Sequence, residues 1–248
     1  MTDRTEVIEA AAEADPSRPV TPSEDVLDRA QWESLVGQHA RFAVRNGRAA
    51  RYQPDVAPFI ALEDPRDPRA WADVAELLKP EEHLTLVDAD EWPDSWEPVR
   101  TAEGVQMTGV GVRPEPEPEA VLLGLDDVPE ILDLVARTQP GPFLPRTVEL
   151  GTYLGIRREG RLIAMAGERL HPPGWTEISA VCTDAEYRGQ GLASRLVLAV
   201  AAGIVARGET PFLHALATNT NAIRLYRSLG FELRRTRPLT VLARKAAA

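Results

Sequence analysis

The 248-residue sequence predicts an α+β fold: a mixed, mostly antiparallel central sheet flanked by helices, with an accessory α/β half in front of it. Three observations carry that prediction. Short apolar runs at Val121–Gly124, Tyr153–Arg157, Arg161–Glu168 and Glu177–Thr183 are separated by turn chemistry, notably Arg158-Glu159-Gly160 and His171-Pro172-Pro173-Gly174, which is the pattern of an antiparallel meander. The meander runs into Tyr187-Arg188-Gly189-Gln190-Gly191-Leu192-Ala193-Ser194, a glycine-rich turn that opens a long apolar helix. After that helix the chain closes with strand, helix and strand.

Residues 1–25 read as a flexible acidic tail, within which Glu6–Ala14 could form a helix. Residues 26–112 read as the accessory half. There the spacing of Trp32, Leu35, Val36, His39, Phe42 and Ala43 predicts an amphipathic helix from Asp28. A strand at Phe59–Glu63, a helix at Ala70–Leu78 with Trp71, Val74 and Leu77, and a strand at His83–Val87 follow. Trp92 and Trp96 fall in an acidic loop, as core residues or as cleft lining, before a strand near Gly104–Thr108. Residues 113–119, Arg-Pro-Glu-Pro-Glu-Pro-Glu, read as an extended linker to the domain at 120–248. In that domain Val128, Ile131, Leu132 and Val135 mark one face of a helix from Asp126 or Asp127 to Arg137.

The glycine turn carries the chemistry. Gly189 and Gly191 lack a Cβ, so the backbone there can take positive φ and lie close to an anion. The helix that follows offers unpaired amides and the positive end of its dipole, and Arg188 adds a cation. That helix is apolar around most of its circumference, through Leu192, Leu196, Val197, Val200, Ala201, Ile204 and Val205, and stops at Arg207-Gly208. Phe212–Leu216 is then a strand. Asn219 caps a helix bearing Ala222, Ile223, Leu225, Tyr226 and Leu229, which Gly230 stops before Phe231 opens the last strand.

Two patterns in this stretch resemble the GNAT superfamily, the Gcn-related N-acetyltransferases. Arg188, Gly191 and Ala193 fall in register with its cofactor-binding motif, and Asn219, Ala222, Leu225, Tyr226, Gly230 and Phe231 with its second motif. The resemblance covers about residues 119–243. It implies the GNAT fold, acetyl-CoA as acyl donor, and transfer of an acetyl group to a primary amine by direct attack in a ternary complex. It also implies that Arg188, Gly189, Gln190, Gly191, Leu192, Ala193, Ser194 and Asn219 bind the cofactor, and that the backbone of Val181 and Thr183 pairs with its pantetheine arm. Tyr226 takes the place of the residue that protonates the leaving sulfur; a buried core tyrosine is the alternative. Glu177 stands where related enzymes carry a general base; a solvated strand-end carboxylate is the alternative. Strand alternation places Glu177, Ser179 and Val181 on one face and Cys182 on the other, and burial in a closed cleft would raise the Glu177 pKa. Residues 139–150 are expected over the acceptor side, with Arg146 paired on the surface; recognition of a carboxylate is the alternative. The tandem layout is similar to the glycine N-acyltransferase-like branch, with residues 26–112 as a reduced first copy that helps wall the acceptor cleft.

Composition limits the partners. Net charge is −10, divided as −14 over residues 1–119 and +4 over 120–248, so the cofactor half is locally basic while the whole argues against nucleic acid. Four scattered histidines and one cysteine offer no metal-ligand spacing, so no metal is expected. Cys182 reads as a structural thiol, His214 as a hydrogen-bonded core imidazole and His171 as exposed in its turn. The single cysteine and the lack of a bilayer-length apolar run or a secretory signal point to the cytoplasm, with no membrane partner. A homodimer and the identity of the amine stay open. So does a second class of function, a non-catalytic CoA-binding sensor or scaffold.

Overall fold

A computed structural model describes residues 22–79, 81–87 and 91–245. The Glu6–Ala14 helix and all but the end of the expected tail lie outside the described residues. A 3-10 turn at Glu24–Arg29 leads into α1 (Ala30–Val36). The apolar spacing runs on to Ala43, yet the helix stops at Gly37, whose amide bonds Glu33 O and Ser34 O. A Cβ at Gly37 would stand 2.7 Å from the Glu33 carbonyl oxygen, so the stop needs glycine. Phe42 and Ala43 still face the core, from a 3-10 turn (Ala40–Phe42) and from β1 (Ala43–Asn46). β1, β2 (Ala49–Tyr52) and β3 (Ile60–Leu62) form a small antiparallel sheet. α2 (Pro68–Leu77) starts at Asp67, whose carboxylate accepts from the Arg69 amide at 2.9 Å, with proline in the first turn.

The large sheet takes β4 (Leu84–Val87), β5 (Trp96–Thr108), β6 (Val121–Leu123), β7 (Tyr153–Arg158), β8 (Arg161–Glu168), β9 (Trp175–Thr183), β10 (Thr210–Leu216) and β11 (Glu232–Arg244). Its order is β4-β11-β5-β10-β9-β8-β7-β6, antiparallel throughout except for β9 against β10. α3 (Val128–Thr138), α4 (Leu192–Ala206) and α5 (Thr220–Ser228) complete the fold. The mixed α+β class expected from the sequence is the one observed.

Two features depart from the sequence reading. β5 begins at Trp96, eight residues before the expected strand, and Trp96 is buried against the Trp71 ring at 5.6 Å between centroids. Its stretch from Glu97 to Gly104 has no buried residue, so alternation gives no signal; main-chain pairing with β11 from Arg244 to Glu232 holds it. The sheet also crosses the expected boundary at 113–119, since β5 lies between β11 and β10. Two of the three glutamates of that segment are held: Arg195 on α4 grips Glu117 and Glu119, and Arg158 grips Glu119.

The sheet is covered on both faces. Ile163, Ala164, Ala166, Ile178, Val105, Met107 and Leu213 pack with α4 and with Tyr226 of α5. Met165, Tyr153, Leu162 and Leu123 pack with Ile131 and Leu134 of α3, and Phe212 and Trp175 pack with the N-terminal layer through Leu27, Leu35, Phe42 and Tyr52. Gly167 is where β8 lets the Tyr153 ring lie flat on its backbone: a Cβ there would fall 2.2 Å from the ring.

Candidate active site

The site exists because two parallel strands part. β9 and β10 pair only at Trp175–Glu177 and Thr210–Phe212, and beyond those positions Ile178–Thr183 and His214–Leu216 line a cleft of about 960 Å³. A bulge in β9 accompanies the parting. Ser179 pairs with Gly167 and Cys182 with Met165, which sets Ala180 and Val181 together opposite Ala166, with Ala180 at φ 53°. The bulge reverses the alternation. Ile178 and Val181 pack into the cluster under α4, while Ala180 and Cys182 face the α3 side, so Val181 does not share the face of Glu177 and Ser179, and Cys182 does not oppose it. Burial pushes the Cys182 thiol up to about 11, as suits a structural residue.

The glycine turn forms one wall. Gly189 and Gly191 take φ 78° and 76°, the left-handed region that glycine enters without penalty, and open space lies where a Cβ would stand. Both therefore leave backbone exposed to the cleft. The amides of Leu192, Ala193 and Ser194 occupy the first turn of α4 and have no intrahelical acceptor. Arg188, whose Nε donates to Thr183 O at 3.3 Å, forms no ion pair among the described residues. That combination of bare amides, helix dipole and a guanidinium without an ion pair can hold an anion.

A polar frame forms the opposite wall. Glu177 is wholly buried; Arg169 donates to it from Nε at 2.8 Å and from Nη2 at 2.6 Å, and the His214 Nδ1 lies 2.7 Å from Oε1. The guanidinium of Arg169 also covers the Phe59 ring at 5.0 Å. Burial acts to raise the Glu177 pKa, but the adjoining Arg169 charge and its hydrogen bonds, with those of His214, prevail and lower it to about 2. The tautomer of His214 follows from its neighbour. Gln106 Oε1 accepts from Arg234 at 2.7 Å, so its Nε2 donates both to Leu27 O and to His214 Nε2, each at 3.0 Å. His214 then carries its proton on Nδ1, pointed at Glu177.

Comparison with known proteins places the chain. Residues 153–239 match the family described as FR47-like protein. The crystal structure of a GNAT-family protein from Novosphingobium aromaticivorans is 42% identical, covering 89% of this chain and 99% of that one with a TM-score of 0.81. The chain belongs to the GNAT family. A GCN5-related N-acetyltransferase from Kribbella flavida shares the fold at 18% identity, covering 88% of this chain and 96% of that one, with a TM-score of 0.58. N-alpha-acetyltransferase RimI of Mycobacterium tuberculosis is 36% identical over 83 residues, which are 32% of this chain and 51% of that relative. The match thus spans about half the length of the curated relative.

In this GNAT chain the residues singled out by sequence meet in one place. Val181, Thr183, Arg188, Gly189, Gly191, Leu192, Ala193, Ser194, Asn219 and Tyr226 all line the cleft; Gln190 is exposed outside its lining. Asn219 spends its side-chain oxygen on the α5 cap, accepting from the Ala222 amide at 3.2 Å. Tyr226 is buried and its pKa rises to about 12 through desolvation, and its hydroxyl has no hydrogen-bond partner among the described residues. Glu177 departs from its expected role, because both its oxygens are bonded within the wall and it cannot itself meet an amine. His171 is buried rather than exposed, its ring 5.0 Å from that of His39, because the N-terminal layer closes over its turn. Arg146 pairs with Glu149, Gln53 and Asp55, as the sequence reading expects, and Gln139–Pro142 reach the cleft rim. Arg169 and Gln106 escaped the sequence reading. A lone arginine at a strand end and a lone glutamine in an acidic strand carry no local signal.

The Arg169–Glu177 pair makes acid stability predictable. Glu177 is lowered in the folded chain, so its contribution is complete above the unfolded pKa near 4.5 and fades as pH falls toward about 2. Glu177→Gln leaves a buried guanidinium without its counter-charge and should cost roughly 3–5 kcal/mol at neutral pH. Urea melts from pH 7 to 2 should show the gap between wild type and variant narrowing as pH drops. A gap independent of pH would contradict the pairing.

Proposed function

We propose that this chain is an acetyl-CoA-dependent N-acetyltransferase whose acceptor is a primary amine attacking within a ternary complex. The observation that carries the reading is continuity: a single cleft joins the glycine cradle, the β9 bulge, Tyr226 and the His214 imidazole. Family membership supports the class of reaction.

When bound, acetyl-CoA supplies the acetyl group as an activated thioester. The amides of residues 189–194 and the Arg188 guanidinium would hold its diphosphate. The open backbone edge of β9 past Glu177 would pair with the pantetheine arm, and an amide at the Ala180–Val181 bulge would polarise the thioester carbonyl. Tyr226, with an unspent hydroxyl on the cleft, would give a proton or a hydrogen bond to the departing sulfur. His214 takes the place of Glu177 as proton acceptor. Its Nε2 lone pair faces Gln106, whose amide can keep its bond to Leu27 O while yielding that nitrogen, and Glu177 stabilises the resulting imidazolium across 2.7 Å.

Acceptor-dependent release of free CoA is the direct test, and its absence across a broad panel of amines would favour a CoA-binding protein without turnover. Gly191→Glu, which puts bulk and negative charge into the cradle, should abolish acetyl-CoA binding in calorimetry, and retained binding would refute the cradle. Tyr226→Phe should lower kcat by roughly 10²-fold with acetyl-CoA affinity unchanged, since a proton donor acts in the transition state. His214→Asn should be most impaired near neutral pH and recover as pH rises and the amine deprotonates in solution; a pH-independent deficit would remove its assigned role.

A further inference from the structure

The cleft has two sides of different chemistry. In β5, Val105 and Met107 point under α4, so Arg100, Ala102, Gly104 and Gln106 point the other way, toward the N-terminal layer. Across the ladder Gly104 stands beside Arg237 and Ala102 beside Leu239, and on β10 Leu213 faces α4 while His214 faces the layer. The cleft wall away from the cradle is thus built from Arg100, Gly104, Arg237, Leu239 and His214, with Gln31, Phe59 and Arg169 above them.

Among the described residues no aspartate or glutamate lines this cleft, in a chain that carries 38 of them against 28 lysines and arginines. The cations on the acceptor side differ in their commitments. Arg169 is neutralised by Glu177, and Arg237 is tied to Asp28 and to Leu27 O. Asp28 is shared with Arg234 and Arg235, and Arg234 also pairs with Glu24. Arg100 is exposed on the cleft wall, and its side chain has no ion pair or hydrogen bond among the described residues.

Resting on the acetyltransferase reading, we propose that the acceptor is a small amine bearing a carboxylate, of the amino-acid kind, and that Arg100 is the specificity residue that receives that carboxylate. A guanidinium offers parallel donors matched to a carboxylate, and a wall with no acidic side chain among its described residues presents no counter-charge there to a second ammonium. Polyamines and lysine-rich segments are therefore poor occupants. The amine end must lie toward the β9 bulge and His214, and the carboxylate end toward β5 and β11.

The test pairs each L-amino acid with its carboxamide, and includes spermidine, in an assay of thiol release from acetyl-CoA. Preferred acceptors should be used with a kcat/KM at least about tenfold above that of their amides, the size expected of one charge-assisted contact. Arg100→Ala should erase that ratio mainly through acceptor KM, Arg100→Lys should restore part of it, and the acetyl-CoA dissociation constant should stay at the wild-type value. In parallel, N-acetyl amino acids and their amides are titrated by calorimetry into the protein with CoA, which reads acceptor-side recognition without turnover. Amides equal to or better than acids in both assays, preference for spermidine, or a loss of acetyl-CoA binding in Arg100→Ala would each overturn the assignment. Acid-selective binding without any turnover would instead sink the acetyltransferase reading, and with it the acceptor role, while leaving Arg100 as the residue that receives a carboxylate.

Discussion

β9 and β10 share hydrogen bonds over three residue pairs and then separate, and the site is the space they leave. Parallel strands that stop pairing expose main-chain donors and acceptors, which are costly to leave dry and unpartnered. The bulge at Ala180–Val181 lets β9 turn away from β10 while keeping its ladder with β8. The chain then enters the glycine turn, which aims the first turn of α4 back at the same opening. An unpaired strand edge and the amide-bearing start of a helix are thereby set a fixed distance apart by one continuous piece of backbone.

The wall opposite this backbone is charged, buried and closed on itself. Glu177, wholly inaccessible, satisfies one oxygen on Arg169 and His214 and the other on Arg169 alone. Its depressed pKa shows which of two opposed effects prevails: desolvation favours the neutral acid, and a bidentate guanidinium at hydrogen-bond distance outweighs it. A carboxylate so satisfied has no reason to leave its partners for an amine. It has good reason to hold an imidazole in one tautomer, and Gln106 fixes that tautomer from the far side because Arg234 already claims its oxygen. Orientation travels from Arg234 through the amide to the ring.

What could be read from the sequence follows from how local each feature is. Arg188 to Ser194 and Asn219 to Phe231 place their chemistry within single turns and caps, so spacing alone brings those residues together. Helix α3, read from Val128, Ile131, Leu132 and Val135, and the strands β7 and β8 were legible for the same reason, although Leu134 is buried beside Ile131 where Leu132 and Val135 are only partly so. The bulge was not, since nothing in Ser-Ala-Val-Cys announces that Ala180 takes positive φ, and one inserted residue moves Val181 and Cys182 to the faces opposite to those that alternation assigns. β5 was only partly legible. Its exposed stretch from Glu97 to Gly104 is held by a partner strand more than a hundred residues later. The same non-locality hid Arg169, which matters through Glu177 and Phe59.

Charge shows most plainly how placement overrides composition. The segment 1–119 is strongly acidic and 120–248 mildly basic, which suggests that any anion-binding chemistry belongs to the second. Yet β5, from the acidic segment, runs between β11 and β10 and turns Arg100 and Gly104 into the cleft, while its glutamates Glu97 and Glu103 are absent from the lining. Period-two alternation is what separates them: even-numbered positions from Arg100 to Gln106 face the layer, and Glu103 faces the other way. A strand can therefore belong to an acidic region and still present a cation to the site, because the field that a bound molecule meets is set by the few side chains on one face within a Debye length of about 10 Å. Net charge over a hundred residues governs solubility and long-range steering; the selectivity of this cleft depends on which face of β5 each residue occupies.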